Sequence, residues 1–596
     1  MCGLAGIIGK KVSSLEKHKV LNNILHRGPN SSGVYSDKDT TFIHARLSIL
    51  DISNNGNQPM IDKKTGTIIL YNGEIYNFKE LKIKELNNFK FASNTDTEVI
   101  LNLYIKFGIK FVNKLEGMFA ISIWDPRIKK LYLIRDRFGI KPLFYYHKNK
   151  ILAFSSEIKP IFNFNIKSEL NFENLKKYLL YGMLATSKST LFNDICSVPS
   201  GSILTFHKNK IFISKYWNLK DNFSSRFNKL NEKEIEEETF FLMKKVIKEH
   251  LISDVPVGIC LSSGSDSQVI LNCVMEENLK KIECFTYGFN ETKYNEIEKL
   301  KYLKKDKKQI FNSSILNPFN LINDLEKSIS DFECPIGGLG TLGLWKLMKK
   351  AKKRNIPVLL SGEGADEAFC GYKYYYYFFL LELYKNKQYD LLNKEVKYLK
   401  YDQDITEKID KEFFNKLDFN SVQAPDGSLL KDESFLINKN KIKFYTNNEF
   451  DNIHMSKKIS PLKSRIFKDL FFLKIQKLLW FVDRASMASG IECRVPFLDR
   501  RIIEHCFSLP SNLLIKNGIN KYLIKNFLTK KFRQKDVKKK KLYVATPQRE
   551  WIKSKLRNKV LEYIKKGYLV DRKIIDYKLF KNHYERYSKS KKLGNS

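Results

Sequence analysis

The chain of 596 residues is too long for one hydrophobic core, because single cores stop growing at about 250–300 residues. Its 43% hydrophobic and 29% charged residues are typical of a globular protein, and the absence of any run of about 18 apolar residues argues against a membrane partner. The net charge of +40 raises nucleic-acid binding as an alternative from a different class, but only Lys538 to Lys541 form a continuous basic run, which favours a solvated surface and no nucleic acid.

The nine cysteines are scattered along the chain, without Cys-x-x-Cys spacing or paired histidines. This pattern supports neither a disulfide framework nor a zinc site. The first residues lack the basic and apolar regions of a signal peptide. We therefore expect a protein of the reducing cytoplasm, and a homodimer is compatible with the sequence.

Short apolar segments separated by turn residues fill the first third of the chain, which is typical of strands and hairpins. One stretch with helical spacing, Asp96 to Leu115, interrupts them. The pattern predicts antiparallel sheets with flanking helices over residues 2–205. The strand candidates are Thr41–Leu50, Thr67–Tyr71, Phe119–Trp124, Lys130–Ile134, Leu143–Tyr146 and Ile151–Ser155.

A polar segment from Asn218 to Glu238 separates this pattern from the rest, and we predict a linker over residues 206–238. In residues 239–596 the apolar segments Val255–Leu261 and Pro357–Leu360 are each followed by a loop of small residues and a helical stretch. Strands that alternate with helices predict a parallel sheet. The later part of this domain has mainly helical periodicity.

Cys2 is the first candidate for chemistry, because Met1 is readily removed before a small residue. The thiol and a free α-amino group then lie on the same residue. An α-amino group with a pKa of about 7.7–8.0 is partly neutral near pH 7 and can accept the thiol proton. An ordinary small residue in a first strand is the alternative interpretation.

Five motifs follow Cys2 in this order: His26–Pro29, Arg46–Ile49, Tyr71–Asn77, Thr95–Glu98 and Arg135–Gly139. Their order resembles that of the class II glutamine amidotransferases. The N-terminal third is similar to the glutaminase domain of the asparagine synthetase B family, which implies a four-layer αββα N-terminal-nucleophile fold. Asn30 departs from the Asp that the family usually carries.

Glutamine has a carboxylate, an ammonium group and an amide, and its pocket needs groups that recognise each. The resemblance implies that Arg46 binds the carboxylate through its planar fork, and that Asp96 and Glu74 lie at the ammonium end. It also implies that Asn72 and the backbone N–H of Gly73 form the oxyanion hole.

The segment Leu261–Ser267 follows a strand candidate and begins a helix candidate. Glycine and hydroxyl residues at a helix N-terminus can bind phosphate oxygens through N–H groups and the helix dipole. The loop resembles the pyrophosphate-binding loop of ATP pyrophosphatases, although Ser263 replaces its first glycine.

A second glycine-rich loop, Leu360–Tyr372, contains three acidic residues, which are expensive to bury without partners and suit Mg²⁺ and phosphate. It closely resembles the asparagine synthetase hallmark. The resemblance implies that Asp266 and Asp366 hold Mg²⁺, that Glu363 orients the acyl-adenylate or ammonia, and that Lys521 stabilises pyrophosphate charge. The residues that it assigns to ATP are Leu261, Ser262, Gly264, Asp266, Ser267, Tyr287, Ser361 and Gly362.

Both loops follow strands, so in a doubly wound parallel sheet they meet at the carboxyl edge, where ligands bind. The resemblance further implies helices from Val482–Met487 and Glu492–Asp499 around this site, helical C-terminal additions, and an internal passage for ammonia. Glu333–Pro335 differs from the Asp-Glu-Pro that the family often has, in a region where we expect the acceptor.

The predicted function is glutamine-dependent, ATP-driven amidation of a carboxylate through an acyl-adenylate. The substrates are small molecules: glutamine, ATP and L-aspartate, which would yield asparagine, glutamate, AMP and pyrophosphate. A uronic acid of surface-polysaccharide synthesis and a peptide carboxylate remain alternative acceptors.

Overall fold

The structure is a computed structural model that describes residues 1–181, 189–222, 227, 230–277, 281–300, 309–403, 409, 411–415, 459–532 and 546–589. The basic run Lys538 to Lys541 lies outside the described residues. In the described part, no helix has the length and the apolar character needed to cross a bilayer.

The first third of the chain contains twelve strands and five helices among its described residues. The strands are β1 Gly3–Ile8, β2 Ser31–Asp37, β3 Thr40–Arg46, β4 Met60–Ile61, β5 Ile68–Ile75, β6 Gly117–Asp125, β7 Lys130–Arg135, β8 Phe144–Lys148, β9 Ile151–Ser155, β10 Ile195–Ser197, β11 Ser202–His207 and β12 Lys210–Lys215. The helices are α1 Ser14–Ile24, α2 Phe78–Glu85, α3 Asp96–Phe107, α4 Lys159–Phe162 and α5 Phe172–Tyr181.

These strands form two antiparallel six-stranded sheets, with the orders β10-β8-β9-β1-β3-β2 and β12-β11-β7-β6-β5-β4. Because side chains alternate along a strand, each sheet has two packed faces. The inner faces pack together through residues such as Leu4 and Leu70. Helices α1 and α4 cover the outer face of the first sheet, and α2 and α3 cover that of the second. The four-layer αββα prediction is confirmed.

Two local expectations for this region differ from the structure. The helix predicted from Asp96 to Leu115 ends at Phe107, because Gly108 adopts a φ of 57° and a 3₁₀ segment follows. Strand β12 pairs with β11 and so extends the second sheet beyond residue 205, into the segment that the sequence predicts as a linker.

The remainder of the described chain has seven strands and eighteen helices. The strands are β13 Val257–Cys260, β14 Ile282–Phe289, β15 Gln309–Leu316, β16 Val358–Leu360, β17 Glu492–Arg494, β18 Ile515–Lys516 and β19 Ile519–Asn520. The helices are α6 Glu232–Glu249, α7 Ser265–Glu276, α8 Glu296–Lys299, α9 Leu321–Phe332, α10 Leu339–Lys353, α11 Ala365–Ala368, α12 Lys373–Lys385, α13 Tyr389–Gln403, α14 Lys411–Asn415, α15 Pro461–Lys468, α16 Ile475–Met487, α17 Arg500–Ser508, α18 Ser511–Leu514, α19 Tyr522–Phe532, α20 Gln548–Lys553, α21 Arg557–Lys565, α22 Tyr568–Asp571 and α23 Tyr577–Lys589.

Strands β13 to β17 form one parallel sheet with the order β15-β14-β13-β16-β17. The chain first winds outward from β13 and then continues from β16 on the other side, so the switch point lies between these two strands. Neighbouring side chains point to opposite faces: Leu360 packs with Ile259, whereas Leu359 packs with Phe285. Both faces are therefore covered, and the doubly wound prediction is confirmed.

The prediction that Glu492–Asp499 is helical is wrong at its start. Glu492–Arg494 forms the edge strand β17, which pairs in parallel with β16, and only a 3₁₀ turn at Pro496–Leu498 follows. The three residues of β17 are fully buried because this edge of the sheet faces the N-terminal sheets. This strand brings charged side chains to the interface between the two halves.

Candidate active sites

Cys2 lies just before β1 and is buried, with 8% of its surface exposed. Its backbone N–H donates to Asn72 Oδ1 over 2.9 Å. Since β1 belongs to the first sheet and β5 to the second, this bond fixes the residue between the two sheets. Burial raises the pKa of the thiol, although the nearby N-terminal ammonium and a hydrogen bond to the Leu47 backbone oppose the rise.

Asn72 offers the donor that an oxyanion would need. Its Nδ2 is buried and has no hydrogen-bond partner among the described residues. A buried donor without a partner is costly, and a bound anion would remove that cost. Next to it, a side chain at Gly73 would collide with the backbone oxygen of Met118, so this close approach of β5 and β6 requires glycine.

Arg46 is buried near Cys2, and several of its N–H groups are already bound. Nη1 donates to Ser53 O over 2.7 Å and Nη2 donates to Leu50 O over 3.1 Å. A side chain at Gly56 would collide with the guanidinium. The surrounding loop therefore holds Arg46 in place, and Cys2 is among the groups that interact with its charge.

Asp96, the first residue of α3, accepts hydrogen bonds from Tyr71 Oη at 2.7 Å and from Ile75 N–H at 3.0 Å. Burial raises its pKa to about 6 despite these bonds. Both donors come from β5, so Asp96 is anchored to the strand that carries Asn72. The structure thus brings Asp96, Glu74 and Asn72 together.

Glu74 faces the C-terminal half of the chain. Its Oε2 lies 3.1 Å from Arg494 Nη2, while Oε1 is buried without a hydrogen-bond partner among the described residues. Burial raises the pKa of Glu74 well above its usual value, although Arg494 opposes the rise. Its unpartnered oxygen is suited to accept an N–H group.

Arg27 is a site residue to which the sequence reasoning gave no role, although its motif was identified. The guanidinium is fully buried and donates through Nε to Cys2 O over 3.2 Å. Nη1 donates to Glu157 over 2.7 Å and to Asp483 over 2.9 Å. Arg27 thus connects the backbone of Cys2 to α16 of the C-terminal half.

Glu333 also belongs to this interface. Its carboxylate accepts the N–H groups of Ile158 and Lys159 over 2.8 and 2.7 Å, and it pairs with Arg484 over 2.7 Å. All of these partners lie between the two halves. The Glu333 side chain therefore lies at the interface between the two halves, and the expectation that the Glu333–Pro335 departure lies in the acceptor region stays a prediction.

The loop after β13 has an internally bonded conformation. Ser262 N–H donates to Ser267 Oγ over 3.1 Å, and the same hydroxyl donates to Ser262 O over 3.0 Å. The N–H of Ser263 donates to Glu296 Oε2 over 2.9 Å. Gly264 caps α7 in an extended conformation, and its N–H donates to Ser262 Oγ over 3.2 Å. The predicted phosphate loop therefore lies at the start of a helix.

The loop after β16 meets the first loop at the switch point of the sheet. Ser361 N–H donates to Arg494 O over 2.8 Å, which ties this loop to β17. A side chain at Gly362 would come within 3.0 Å of Asp266 Cβ, so the two loops pack closely here. The charge of Glu363 contributes to a raised pKa of Tyr287, which follows mainly from burial.

Leu261 and Tyr287, predicted near the adenosine, are neighbours in the sheet region: Leu261 directly follows β13, and Tyr287 lies on the adjacent strand β14. The N–H of Leu261 donates to Phe285 O over 2.7 Å, and Leu261 is 3% exposed. The Tyr287 ring fills the space beside Gly343, where any side chain would collide with it. Both residues therefore lie at the end of the sheet from which the two loops project.

Lys521 joins the two loops. Its Nζ lies 2.6 Å from both carboxylate oxygens of Asp266 and 2.5 Å from Asp366 Oδ1. The lysine is 2% exposed, whereas the two carboxylates are partly accessible. Three residues that are far apart in the sequence thus form one charged centre.

Two further residues hold this centre, and neither was predicted. A side chain at Gly371 would collide with both Asp366 and Lys521. Asn520 Nδ2 donates to Cys370 O over 2.8 Å and to Tyr372 O over 3.0 Å. In the sequence, two features could have pointed to these residues: the glycine in the second loop and the position of Asn520 before Lys521.

The chain matches two family models. A glutamine amidotransferase domain matches residues 1–217, and an asparagine synthase domain matches residues 242–595. Asparagine synthetase [glutamine-hydrolyzing] 1 of Bacillus subtilis is 30% identical and aligns over 96% of this chain and 92% of its own length.

The names of other relatives include the same activity and a different one. Asparagine synthetase [glutamine-hydrolyzing] 2 of Bacillus subtilis is 30% identical over 86% of this chain and 67% of its own length. Amidase chry2 of Gibberella zeae is 26% identical over 94% of this chain and 88% of its own length.

Proposed function

Because this chain belongs to the asparagine synthase family of glutamine-dependent amidotransferases, which use ATP, we propose that it amidates L-aspartate through an acyl-adenylate. Glutamine supplies the nitrogen, and the products are asparagine, glutamate, AMP and pyrophosphate. In this proposal the glutaminase domain comprises residues 2–205 together with β12, the synthetase domain comprises residues 239–596, and the connection between them follows β12.

The contact of Lys521 with Asp266 and Asp366 is the observation that carries the proposal. Lys521 lies 2.5–2.6 Å from both carboxylates at the switch point of a parallel sheet, where such folds bind their ligands. A cation and two accessible carboxylates between two small-residue loops suit a nucleotide with its metal ion. The backbone and hydroxyls of Ser262, Gly264, Ser267, Ser361 and Gly362 contact the nucleotide in this assignment, with Leu261 and Tyr287 beside its adenosine.

The activation step converts the aspartate carboxylate, which is a poor electrophile, into a reactive acyl-adenylate. The aspartate carboxylate attacks the α-phosphorus of ATP, and pyrophosphate leaves with the electron pair of the broken bond. Lys521 stabilises the charge that develops on pyrophosphate, and Glu363 orients the adenylate or the incoming ammonia. Ammonia then attacks the acyl carbon, and AMP leaves.

Mg²⁺ is compatible with the residues at this centre. Asp266 and Asp366 provide carboxylate oxygens, the ligands that Mg²⁺ prefers, on the two loops that flank the nucleotide. When bound, Mg²⁺ would neutralise phosphate charge. Among the described residues no group of three or more His, Cys, Asp or Glu forms a metal site.

The glutaminase step uses Cys2 after removal of Met1. The α-amino group accepts the thiol proton, and the sulfur attacks the amide carbon of glutamine. Asn72 Nδ2, which is buried without a partner in the described part of the chain, and the Gly73 N–H stabilise the oxyanion. Arg46 recognises the glutamine carboxylate, and Asp96 with Glu74 recognises its ammonium group. The tetrahedral intermediate then collapses: the C–N bond breaks, and the nitrogen takes the proton from the α-ammonium group and leaves as ammonia. Water then hydrolyses the resulting thioester, which releases glutamate and restores the thiol.

The acceptor is tested by a direct comparison. Purified protein receives glutamine and ATP with L-aspartate, glucuronate or a peptide carboxylate, and each amide is quantified by mass spectrometry. We expect asparagine to be the main product. If the amide of glucuronate or of the peptide forms and asparagine does not, aspartate is not the acceptor. The amidotransferase assignment would remain.

The nucleotide products test the activation step. AMP and pyrophosphate should form in equal amounts with the amide, and ADP with phosphate would refute the adenylate. Asp366→Asn should lower AMP formation by about a hundredfold, because it removes a charged ligand from the nucleotide centre. Glutamine hydrolysis by the same variant, measured as glutamate release, should stay within about twofold of wild type.

A further inference from the structure

The start of α10 lies at the carboxyl edge of the parallel sheet, beside the proposed nucleotide site. Helix α10 ends at Lys353 and leads into β16, so it runs opposite to the strands and begins at the edge where such folds bind their ligands. A side chain at Gly340 would come 3.5 Å from Tyr287 Oη, which belongs to the residue assigned to the adenosine. The first turn of α10 therefore borders the space in which the proposed adenylate forms.

The backbone of this turn leaves open space. Gly338 has a φ of 119°, a conformation that favours glycine. Apart from neighbouring residues of its own helix, a Cβ at Gly340 would meet only the Tyr287 hydroxyl within 4 Å in the described structure. Gly337, Gly338 and Gly340 are all partly accessible. An acceptor therefore has room beside the adenylate at this turn.

Gln548 brings a polar side chain from the C-terminal part of the chain to this turn. Its Oε1 accepts the Leu339 N–H over 3.1 Å, and a Cβ at Gly338 would lie only 2.9 Å from the same oxygen. Helix α20 is held in place by Trp551, which is 1% exposed and donates through Nε1 to Glu291 over 2.7 Å. Gln548 is therefore anchored both by its own amide oxygen and by its helix.

The amide nitrogen of Gln548 is available to a ligand. Oε1 is occupied by the Leu339 N–H, whereas Nε2 makes no hydrogen bond with any of the described residues. Because Gln548 is partly accessible, a substrate can reach this nitrogen. Its two N–H donors suit a carboxylate, which only accepts hydrogen bonds when it is ionised.

We infer that Gln548 is a specificity-determining residue for the acceptor, and that its Nε2 donates to the α-carboxylate of L-aspartate. Aspartate carries two carboxylates, and only the β-carboxylate is converted to the amide, so the enzyme has to distinguish them. Gln548 binds the α-carboxylate at the start of α10, and the β-carboxylate then faces the two nucleotide loops. This inference rests on the proposed function, which assigns no residue to recognition of the acceptor.

Gln548→Glu separates recognition from packing. The glutamate keeps an oxygen that accepts the Leu339 N–H, but it replaces the Nε2 donors with a charged oxygen that repels a carboxylate. Asparagine formation by the full-length protein is measured with varied aspartate and then with varied ATP, at saturating glutamine. The KM for aspartate should rise about tenfold or more, because a charge-assisted hydrogen bond is lost. The KM for ATP and glutamine hydrolysis without aspartate should stay within about twofold of wild type.

Gln309→Glu is the matched control, because Gln309 makes the same change of charge on β15, the outer strand of the same sheet. It should leave the KM for aspartate within about twofold of wild type. An unchanged KM for aspartate in Gln548→Glu would overturn the inference, and so would an equal rise in the KM for ATP, which would assign Gln548 to packing. A wild type that makes no asparagine would instead overturn the proposed acceptor, and this inference with it.

Discussion

Arg494 lies on β17, the last parallel strand, and its Nη2 is 3.1 Å from Glu74 Oε2, beside the proposed nucleophile of the first domain. The same arginine donates to His250 O and Ile252 O, each over 2.7 Å, and its own backbone oxygen binds the Ser361 N–H. One fully buried residue thus contacts Glu74 of β5 through its side chain and the loop after β16 through its backbone.

Arg494→Lys should destabilise the protein by about 3–5 kcal/mol, because a lysine retains the charge but cannot replace the fork that binds Glu74, Glu492 and two carbonyls. Both half-reactions should decrease. Urea unfolding followed by tryptophan fluorescence measures the stability. The control is Arg354→Lys, a half-exposed arginine paired with Glu283, which should cost less than about 1 kcal/mol. Equal effects of the two variants would argue against the coupling role.

Cys2→Ala should lower the rate of glutamine-dependent amide formation by about three orders of magnitude or more, because no nucleophile remains to attack the amide. Synthesis from ammonium salts should persist, since both nucleotide loops are unchanged. It should increase between about pH 7 and 8.5 as more ammonia becomes unprotonated. Paired rate measurements with glutamine and ammonium check this, with mass spectrometry to verify removal of Met1 from the wild type. Full glutamine-dependent activity in the variant would contradict the nucleophile assignment.

Gly371→Ala should lower AMP formation by about a hundredfold, because a methyl group there collides with Asp366 and Lys521 and displaces both. Glutamine hydrolysis in the other domain should remain within about twofold of wild type. Both rates are measured on the same preparation, so the glutaminase rate serves as the internal control for folding. A normal AMP rate would mean that this centre does not carry the activation step.

Glu367→Gln should reduce the loss of folding stability that rising pH causes. Burial and the neighbouring Asp366 raise the pKa of Glu367 to about 8, so the folded state binds a proton that the unfolded state loses above about pH 4.5. Wild-type stability from this group is present at low pH and is lost as the pH rises toward 8. Glutamine can still accept the hydrogen bond from Tyr372 Oη at 2.8 Å.

The measurement for Glu367→Gln is the midpoint of thermal unfolding at pH 5 and pH 8, for wild type and variant. The decrease in midpoint over this interval should be smaller in the variant. Asp96, whose pKa is also raised, is present in both proteins and cancels from the comparison. An equal decrease in both proteins would show that Glu367 does not ionise in this range.

The amino-acid sequence alone predicted much of the local architecture. Alternation of short apolar segments with turn residues identified the strands of the first domain, and a strand followed by small residues and a helical stretch identified the loops after β13 and β16. These features can be recognised in the sequence because the backbone geometry of a turn or a helix start limits which residues fit. Both loops were found in this way, whereas Cys2 was found from its place after Met1, whose removal leaves a thiol and a free α-amino group on one residue.

Only the tertiary structure decided which charged groups meet. Arg27 and Asp483 are 456 positions apart, yet they form a buried ion pair that reaches the backbone of Cys2. Glu492 was expected on a helix around the nucleotide, but as part of an edge strand it faces the N-terminus of the chain. Lys521 likewise meets its two carboxylates only because β13 and β16 are neighbours in the sheet. Such pairs depend on the path of the whole chain, since the burial of a charge is compensated by whichever opposite charge the fold brings within reach.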